Sequence, residues 1–176
     1  MSVQDYEKIM IKLYEELHSK HFGKYKGIVQ KTDDPESRGR ITVKGPDVYD
    51  DKDSPWALPS VPFAGKNHGV VLIPEKDDGV WIEFEAGDPA RPIWSGGWWA
   101  SDELPEPGGE KTRLLATSKG HKIIIDDEKD EMKLLHSDGA EISLTKDEIV
   151  LKVGDTKIVL NRQEVNINNG ALQVKQ

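Results

Sequence analysis

Two groups of side chains have the residue types that bind metal ions. His18 and His21 lie three residues apart in a segment with helical periodicity, but no nearby carboxylate pattern completes a zinc site. The acidic run at residues 47–53 offers the oxygen donors that calcium prefers, yet it lacks the glycine and the distal glutamate of an EF-hand loop. We interpret the histidines as solvated residues at a helix end and the run as a solvated loop, and we expect neither a metal nor a cofactor.

Catalytic motifs are equally unsupported. The chain has 32 Asp and Glu residues, but nothing marks two of them as a buried, opposed pair of the kind that cleaves glycosidic bonds. It has neither the Gly-x-Ser-x-Gly turn of a hydrolase nor a glycine-rich phosphate loop. The sequence therefore predicts a protein without enzymatic activity.

The composition limits the partners that the chain can have. Hydrophobic residues make up 36% and charged residues 32%, which indicates a core that is completed by other chains or a chain that is partly unburied. The net charge of −8, with basic residues scattered among acidic ones, opposes nucleic-acid binding. The absence of cysteine suits a reducing cytoplasm, and neither a secretory signal nor a run of about 20 apolar residues is visible.

The first segment, residues 1–22, is predicted to be one amphipathic helix. Its apolar residues recur at steps of three and four, which places them on one face. Such a stripe fits a helix that lies on its own domain and a helix that docks on a partner protein equally well, and periodicity alone leaves both interpretations open. The stripe consists of Tyr6, Ile9, Met10, Leu13, Tyr14 and Leu17.

The second segment, residues 23–100, is predicted to be a small β-barrel. Short stretches of alternating or β-branched residues, separated by glycine and proline turns, are typical of strands. About five short strands with long loops indicate an oligonucleotide/oligosaccharide-binding (OB) fold. The predicted strands are 25–30, 40–43, 70–73, 79–84 and 92–95.

The third segment, residues 119–176, follows a predicted linker at 101–118 and consists of short strands with polar turns between them. Each strand carries an i, i+2 pair of apolar residues, so both side chains lie on one face. A single copy cannot bury that face, and either a sandwich within one chain or three copies around one axis would cover it; we favour an intertwined trimeric β-helix or β-prism. The predicted trimer core comprises Ile123, Ile125, Leu134, Ile142, Leu144, Ile149, Leu151, Ile158, Leu160, Val165 and Ile167, and Met132 completes the pair of Leu134.

An ordered set of motifs in residues 23–96 resembles the OB domain of spike proteins from contractile phage tails and type VI secretion systems. This family includes the valine-glycine repeat protein G (VgrG) and the phage baseplate assembly protein V group. Each motif is weak alone, but their order is specific. They are Gly23-Lys24-Tyr25-Lys26-Gly27-Ile28-Val29, Asp34-Pro35, Arg38-Gly39-Arg40-Ile41-Thr42-Val43, residues 56–65 (WALPSVPFAG), His68-Gly69, Pro74, residues 79–85 (GVWIEFE) and residues 87–96 (GDPARPIWSG).

The resemblance implies a homotrimer whose OB domains sit on a baseplate hub and whose C-terminal needle pierces the target envelope when a sheath contracts. No lysozyme domain separates the OB part from the needle, so the resemblance does not imply peptidoglycan hydrolysis. No hub domain precedes the OB part, so the resemblance implies a separate hub protein. The resemblance also implies contact between the striped helix and the hub or an inner-tube ring. A PAAR-type tip protein would seat on Leu172 and Val174.

Two other functions stay open at this point. An OB barrel with dense aromatic residues can bind single-stranded nucleic acid, but a basic groove is missing, so we expect no nucleic-acid partner. A cell-wall hydrolase accessory of a tail is the other possibility. The resemblance favours a structural spike that is made in the bacterial cytoplasm, assembled in a tail-like particle, and in contact with the target membrane only transiently.

Overall fold

The structure is a computed structural model that describes residues 3–175, and the chain divides into two compact units, one up to Asp102 and one from Glu103. The architecture is mainly β with an N-terminal helix and an OB domain, which confirms that part of the predicted fold class. Across the described residues, no helix combines the length and the apolar character that crossing a membrane requires.

Helix α1 (Val3–Ser19) forms where the apolar residues recur with helical spacing. Asp5 in its first turn and His18 in its last turn complement the helix dipole. None of the described side chains of α1 is buried, so the helix does not lie with its stripe on its own domain. Of the two interpretations that the sequence left open, this exposure favours docking on another chain, which stays a prediction.

The first unit is built on a five-stranded sheet in the order β2-β1-β6-β7-β3, with β4 and β5 as a separate hairpin. The strands alternate between buried and less buried residues because one face of the sheet covers the core. The elements are β1 (Tyr25–Lys31), β2 (Thr42–Lys44), α2 (Pro46–Tyr49), β3 (Leu58–Pro59), β4 (Ala64–Gly65), β5 (His68–Gly69), β6 (Gly79–Phe84) and β7 (Pro92–Gly97).

The core of this unit is small and aliphatic, with one buried tryptophan. Trp94 is buried, and its indole Nε1 donates a hydrogen bond to the carbonyl of Gly39 at 3.1 Å, which satisfies the polar group inside the core. The buried residues around it come from β1, β2, β6 and the bridge between Ile41 and Ala57. They are Val29, Ile41, Val43, Ala57, Val80, Ile82 and Phe84.

One predicted strand is wrong. Residues Val70–Ile73 form no strand, and Val71, Leu72 and Ile73 are exposed. Their β-branched composition suggested a strand, but no neighbouring strand pairs with them. The fifth strand of the sheet is instead Leu58–Pro59, which pairs in parallel with β7.

Gly79 at the start of β6 leaves room for Trp98. A Cβ atom at position 79 would lie 2.7 Å from Trp98 Cε2 and 2.8 Å from the Trp98 carbonyl oxygen. We expect Gly79→Ala to displace Trp98, to break its Nε1 hydrogen bond to the Val80 carbonyl, and to destabilise the unit by about 1–3 kcal/mol, as overpacking commonly does. Urea unfolding followed by tryptophan fluorescence measures this. Gly109→Ala is the control, because a Cβ there meets nothing within 4 Å, and equal midpoints for the two variants would refute the prediction.

The second unit is one antiparallel sheet of eight strands in sequence order, from β8 to β15. All eight strands belong to one hydrogen-bonded sheet, and the exposure of residues such as Leu134 and Ile142 does not favour the alternative of a folded-over sandwich. The strands are β8 (Thr112–Ala116), β9 (Lys122–Asp126), β10 (Glu131–Leu135), β11 (Glu141–Thr145), β12 (Glu148–Val153), β13 (Thr156–Asn161), β14 (Glu164–Ile167) and β15 (Leu172–Lys175).

The first of these strands corrects the predicted linker. β8 lies inside residues 101–118 and pairs with β9 along its whole length. The period-two criterion missed it because Arg113, not an apolar residue, stands two positions before Leu115. The sheet therefore begins earlier than the sequence predicted.

Candidate functional site: the apolar face of the C-terminal sheet

The register of the eight strands aligns the predicted apolar pairs into two continuous rows. Each i, i+2 pair lies directly opposite the pair of the next strand, so all of them share one face of the sheet. One row runs Ile123, Leu134, Ile142, Leu151, Ile158, Ile167 and Leu172, and the other runs Ile125, Met132, Leu144, Ile149, Leu160, Val165 and Val174.

The sequence reasoning missed one member of this face. Leu115 on β8 lies opposite Ile123 and extends the first row, whereas Arg113 lies opposite Ile125 and ends the second. The sequence signal for Leu115 is weak, because Arg113 and not an apolar residue stands two positions before it on the same strand. Leu172 and Val174 end the two rows at the other side, on β15, where both are exposed.

The apolar face is the exposed one in a single copy. Leu134 on this face is 45% exposed, whereas Ile124 on the opposite face is 7% exposed. Monomeric soluble proteins rarely leave a continuous apolar face of this extent in contact with water, and such faces mark interaction sites. The first row also lines an open groove of about 710 Å³, which a second chain could fill.

The opposite face carries a cluster of paired charges on β10 and β11. Lys133 Nζ lies 2.9 Å from Glu131 Oε1 and 3.7 Å from Glu141 Oε1. The hydrogen bond to Glu131 is the main reason why the pKa of Lys133 is raised. These three groups therefore neutralise one another within the sheet.

Two histidines line the groove. The rings of His121 and His136 lie 4.4 Å apart, and each Nδ1 accepts a backbone N–H, from Ser137 at 3.2 Å and from Asp138 at 3.1 Å. These contacts tie the turn after β8 to the turn after β10, which is a structural role.

The two free edges of the sheet are the strands β8 and β15. Each presents backbone N–H and C=O groups without a neighbouring strand on one side, a feature that promotes pairing with another chain. An exposed apolar face between two open edges indicates an assembly of several copies.

The metal sites considered from the sequence are not formed. His18 Nδ1 lies 2.8 Å from the Tyr14 carbonyl, whereas His21 packs against the rings of Tyr25 and Phe84, with centroids 5.8 Å away in both cases. His21 is therefore a packed residue of the first unit and not the solvated helix-end residue that we expected. Among residues 3–175, no three His, Asp or Glu side chains are grouped to hold a metal ion, the acidic run at 47–53 included.

Trp94 and Trp98 of the first unit are engaged by groups of the same chain, whereas Trp99 is exposed. The ammonium of Lys26 lies 4.5 Å from the centroid of the Trp98 ring and 6.0 Å from that of Trp81, and Trp94 is buried in the core. A base that stacked on Trp98 would have to displace Lys26. The arrangement thus does not favour the nucleic-acid alternative.

Comparisons with known proteins match both units. Residues 25–99 match the model of the type VI secretion system/phage-baseplate injector OB domain, and residues 112–173 match that of the phage baseplate V C-terminal trimerisation domain. A curated relative, the type VI secretion system spike protein VgrG1a of Pseudomonas aeruginosa, is 29% identical over 120 residues, which is 61% of this chain. The match spans only 19% of that relative's length.

Proposed function

Because the chain belongs to the family of VgrG-like baseplate spike proteins, we propose that it is the central spike of a phage-tail-like contractile injection apparatus. Three copies assemble on a baseplate hub with the OB units as a collar and the C-terminal sheets as a needle. The observation that supports this best is the pair of continuous apolar rows, which lie in the segment that matches a trimerisation domain.

In the proposed needle, three sheets wind around one axis with their apolar faces inward, as a β-helix or β-prism. The rows then form a shared core, and the edge strands β8 and β15 gain neighbours from other copies. The predicted core residues Ile123, Ile125, Leu134, Ile142, Leu144, Ile149, Leu151, Ile158, Leu160, Val165 and Ile167, with Met132 and Leu115, all belong to this core.

Such a needle resists axial load. Separating the chains would break inter-chain hydrogen bonds and expose the shared core at the same time. Each buried aliphatic side chain contributes about 1.5–3 kcal/mol, so two rows in three copies stabilise the assembly far beyond what one chain achieves. Contraction of a sheath supplies the work, and the spike transmits it to the target membrane as a passive body without catalysis.

The two ends of the spike have different tasks in this proposal. The exposed residues Leu172 and Val174 on the last strand form the seat of a PAAR-type tip protein. Helix α1, whose stripe of Tyr6, Ile9, Met10, Leu13, Tyr14 and Leu17 is exposed, lies at the hub end near the inner tube.

Particles made by the host that encodes this chain test the proposal. Deleting the gene should leave baseplates without central spike density in electron micrographs and should abolish delivery into target cells. Wild-type protein should restore both, and a variant that cannot trimerise should restore neither. Full delivery by particles from the deletion strain would rule the function out. So would wild-type particles that do not contain the chain.

A further inference from the structure

The apolar stripe of α1 is uncovered in one copy of the chain. The helix has 17 residues, and none of its described side chains is buried. Helices of this length are marginal in water on their own and gain most of their stability from packing an apolar face. A stable α1 therefore requires a surface that covers the stripe.

The spacing of the stripe identifies the kind of surface. Val3, Tyr6, Met10, Leu13 and Leu17 follow one another at alternating steps of three and four residues, which is the a/d repeat of a coiled coil. All five side chains are exposed. An a/d seam is self-complementary, so the helices that it fits best are copies of itself.

The residues beside the seam favour more than two helices. In this register Ile9 occupies a g position and Tyr14 the e position of the next heptad, where two-stranded coils usually carry charges. In a parallel bundle, Ile9 of one copy meets Tyr14 of its neighbour. In a bundle of three, each helix contacts two neighbours, so the apolar residues on both sides of its a/d seam are buried.

The outer positions of the helix carry charges instead. Lys8 and Glu15 occupy the f position of successive heptads, farthest from the seam, and Lys12 occupies a c position. Such residues remain solvated when the seam is buried. Ile11, which is exposed and lies off the seam, stays on the outer surface.

We propose that the N-terminal helices of three copies form a parallel three-helix bundle at the hub end of the spike. The inference rests on the proposed trimer, because the match of the C-terminal segment to a trimerisation domain places three copies of α1 in one particle. Tethering raises the effective concentration of the helices for one another, which allows even this short seam to pair. The hub then contacts the outer surface of the bundle.

Site-directed cross-linking tests the bundle, because the natural chain contains no cysteine. Leu13→Cys places a thiol in the seam, and Lys8→Cys places one on the outer surface of the same helix as the matched control. Both residues are exposed in a single copy, so neither substitution disturbs the fold of the chain. The purified full-length variants are treated with a short bismaleimide at low protein concentration. The rate of linkage is followed on denaturing gels, and the mass of the native assembly is measured by light scattering.

We expect Leu13→Cys to give a covalently linked pair within each trimer at least about tenfold faster than Lys8→Cys. A trimer in which neither variant is linked would assign the stripe to a hub protein and overturn the bundle. A trimer in which both variants are linked at equal rates would overturn it too. A chain that is not trimeric would contradict the proposed function itself, which light scattering reports independently of the cross-link.

Discussion

Ile158→Asp is expected to convert the trimer into single copies. Ile158 lies in the first apolar row between Leu151 and Ile167, in the middle of the sheet. Replacing it removes an aliphatic side chain that contributes about 1.5–3 kcal/mol and puts a carboxylate in its place, in all three chains. Burying three carboxylates around one axis costs more still, because they repel each other. Sedimentation velocity of the purified variant measures the loss of the trimer.

The matched control is the neighbouring residue on the opposite face. Lys157 pairs across the strands with Lys152, so Lys157→Asp places opposite charges side by side and leaves both apolar rows intact. The backbone N–H of residue 157 still donates to Asn168 Oδ1 at 3.0 Å. We expect this variant to sediment as the wild type does. Equal sedimentation of the two variants would contradict the inward orientation of the rows.

Asp34→Asn is expected to be the most damaging single substitution of the loop between β1 and β2. The Asp34 carboxylate accepts the backbone N–H groups of Glu36, Arg38 and Arg40 at 2.7–3.2 Å. It also accepts the Arg40 side chain at Nε and NH2, at 3.0 and 2.6 Å. The Asn side chain carries no charge, and its NH2 group would face N–H groups that the carboxylate accepted. The loop therefore loses the hydrogen bonds that hold it in place.

Glu36→Gln is the control for this substitution. Glu36 also contacts Arg40, at 3.2 Å, but its side chain is 56% exposed, compared with 4% for Asp34 and 11% for Arg40. Exposed ion pairs contribute little to stability, whereas removing the buried partner of a largely buried Arg is strongly unfavourable. The midpoint temperature of thermal unfolding of the OB unit should therefore fall clearly for Asp34→Asn and hardly for Glu36→Gln. A similar midpoint for both variants would show that the carboxylate does not anchor the loop.

Acid gives a second readout of the same group. The hydrogen bonds from Arg40 are the main reason why the pKa of Asp34 lies well below its ordinary value. A carboxylate with a lowered folded-state pKa stabilises the fold above its unfolded pKa, near 3.9, and this contribution is lost as the pH falls toward the folded pKa. Wild-type protein should thus lose stability below about pH 4, and Asp34→Asn should show a shallower loss. Equal slopes would refute this.

The second unit shows how far the sequence determines a fold of this kind. Each i, i+2 pair, such as Ile158 and Leu160, predicts a strand with one apolar face without any alignment, because side chains alternate along a strand. The turns are predicted equally well, since Asn168, Asn169 and Gly170 adopt the positive φ that their residue types tolerate. These local rules predicted the strands from β9 to β15 and the face that their apolar pairs share.

Other features depend on contacts that local rules do not contain. Val70–Ile73 has strand composition but no pairing partner, whereas Leu58–Pro59 is a strand only because β7 lies beside it. Leu115 belongs to the apolar face through its position opposite Ile123, which no pattern within β8 reveals. The anchoring of Arg40 by Asp34 spans six residues of irregular loop, and motif order suggested a domain there but not this contact.

We propose that sister copies cover the apolar rows of the C-terminal sheet, and the mass of the purified chain in solution tests this most directly. Multi-angle light scattering at micromolar concentration should give about three times the 19.7 kDa of one copy. A folded species of one copy at that concentration, with residues 112–173 protected from hydrogen exchange, would contradict the account.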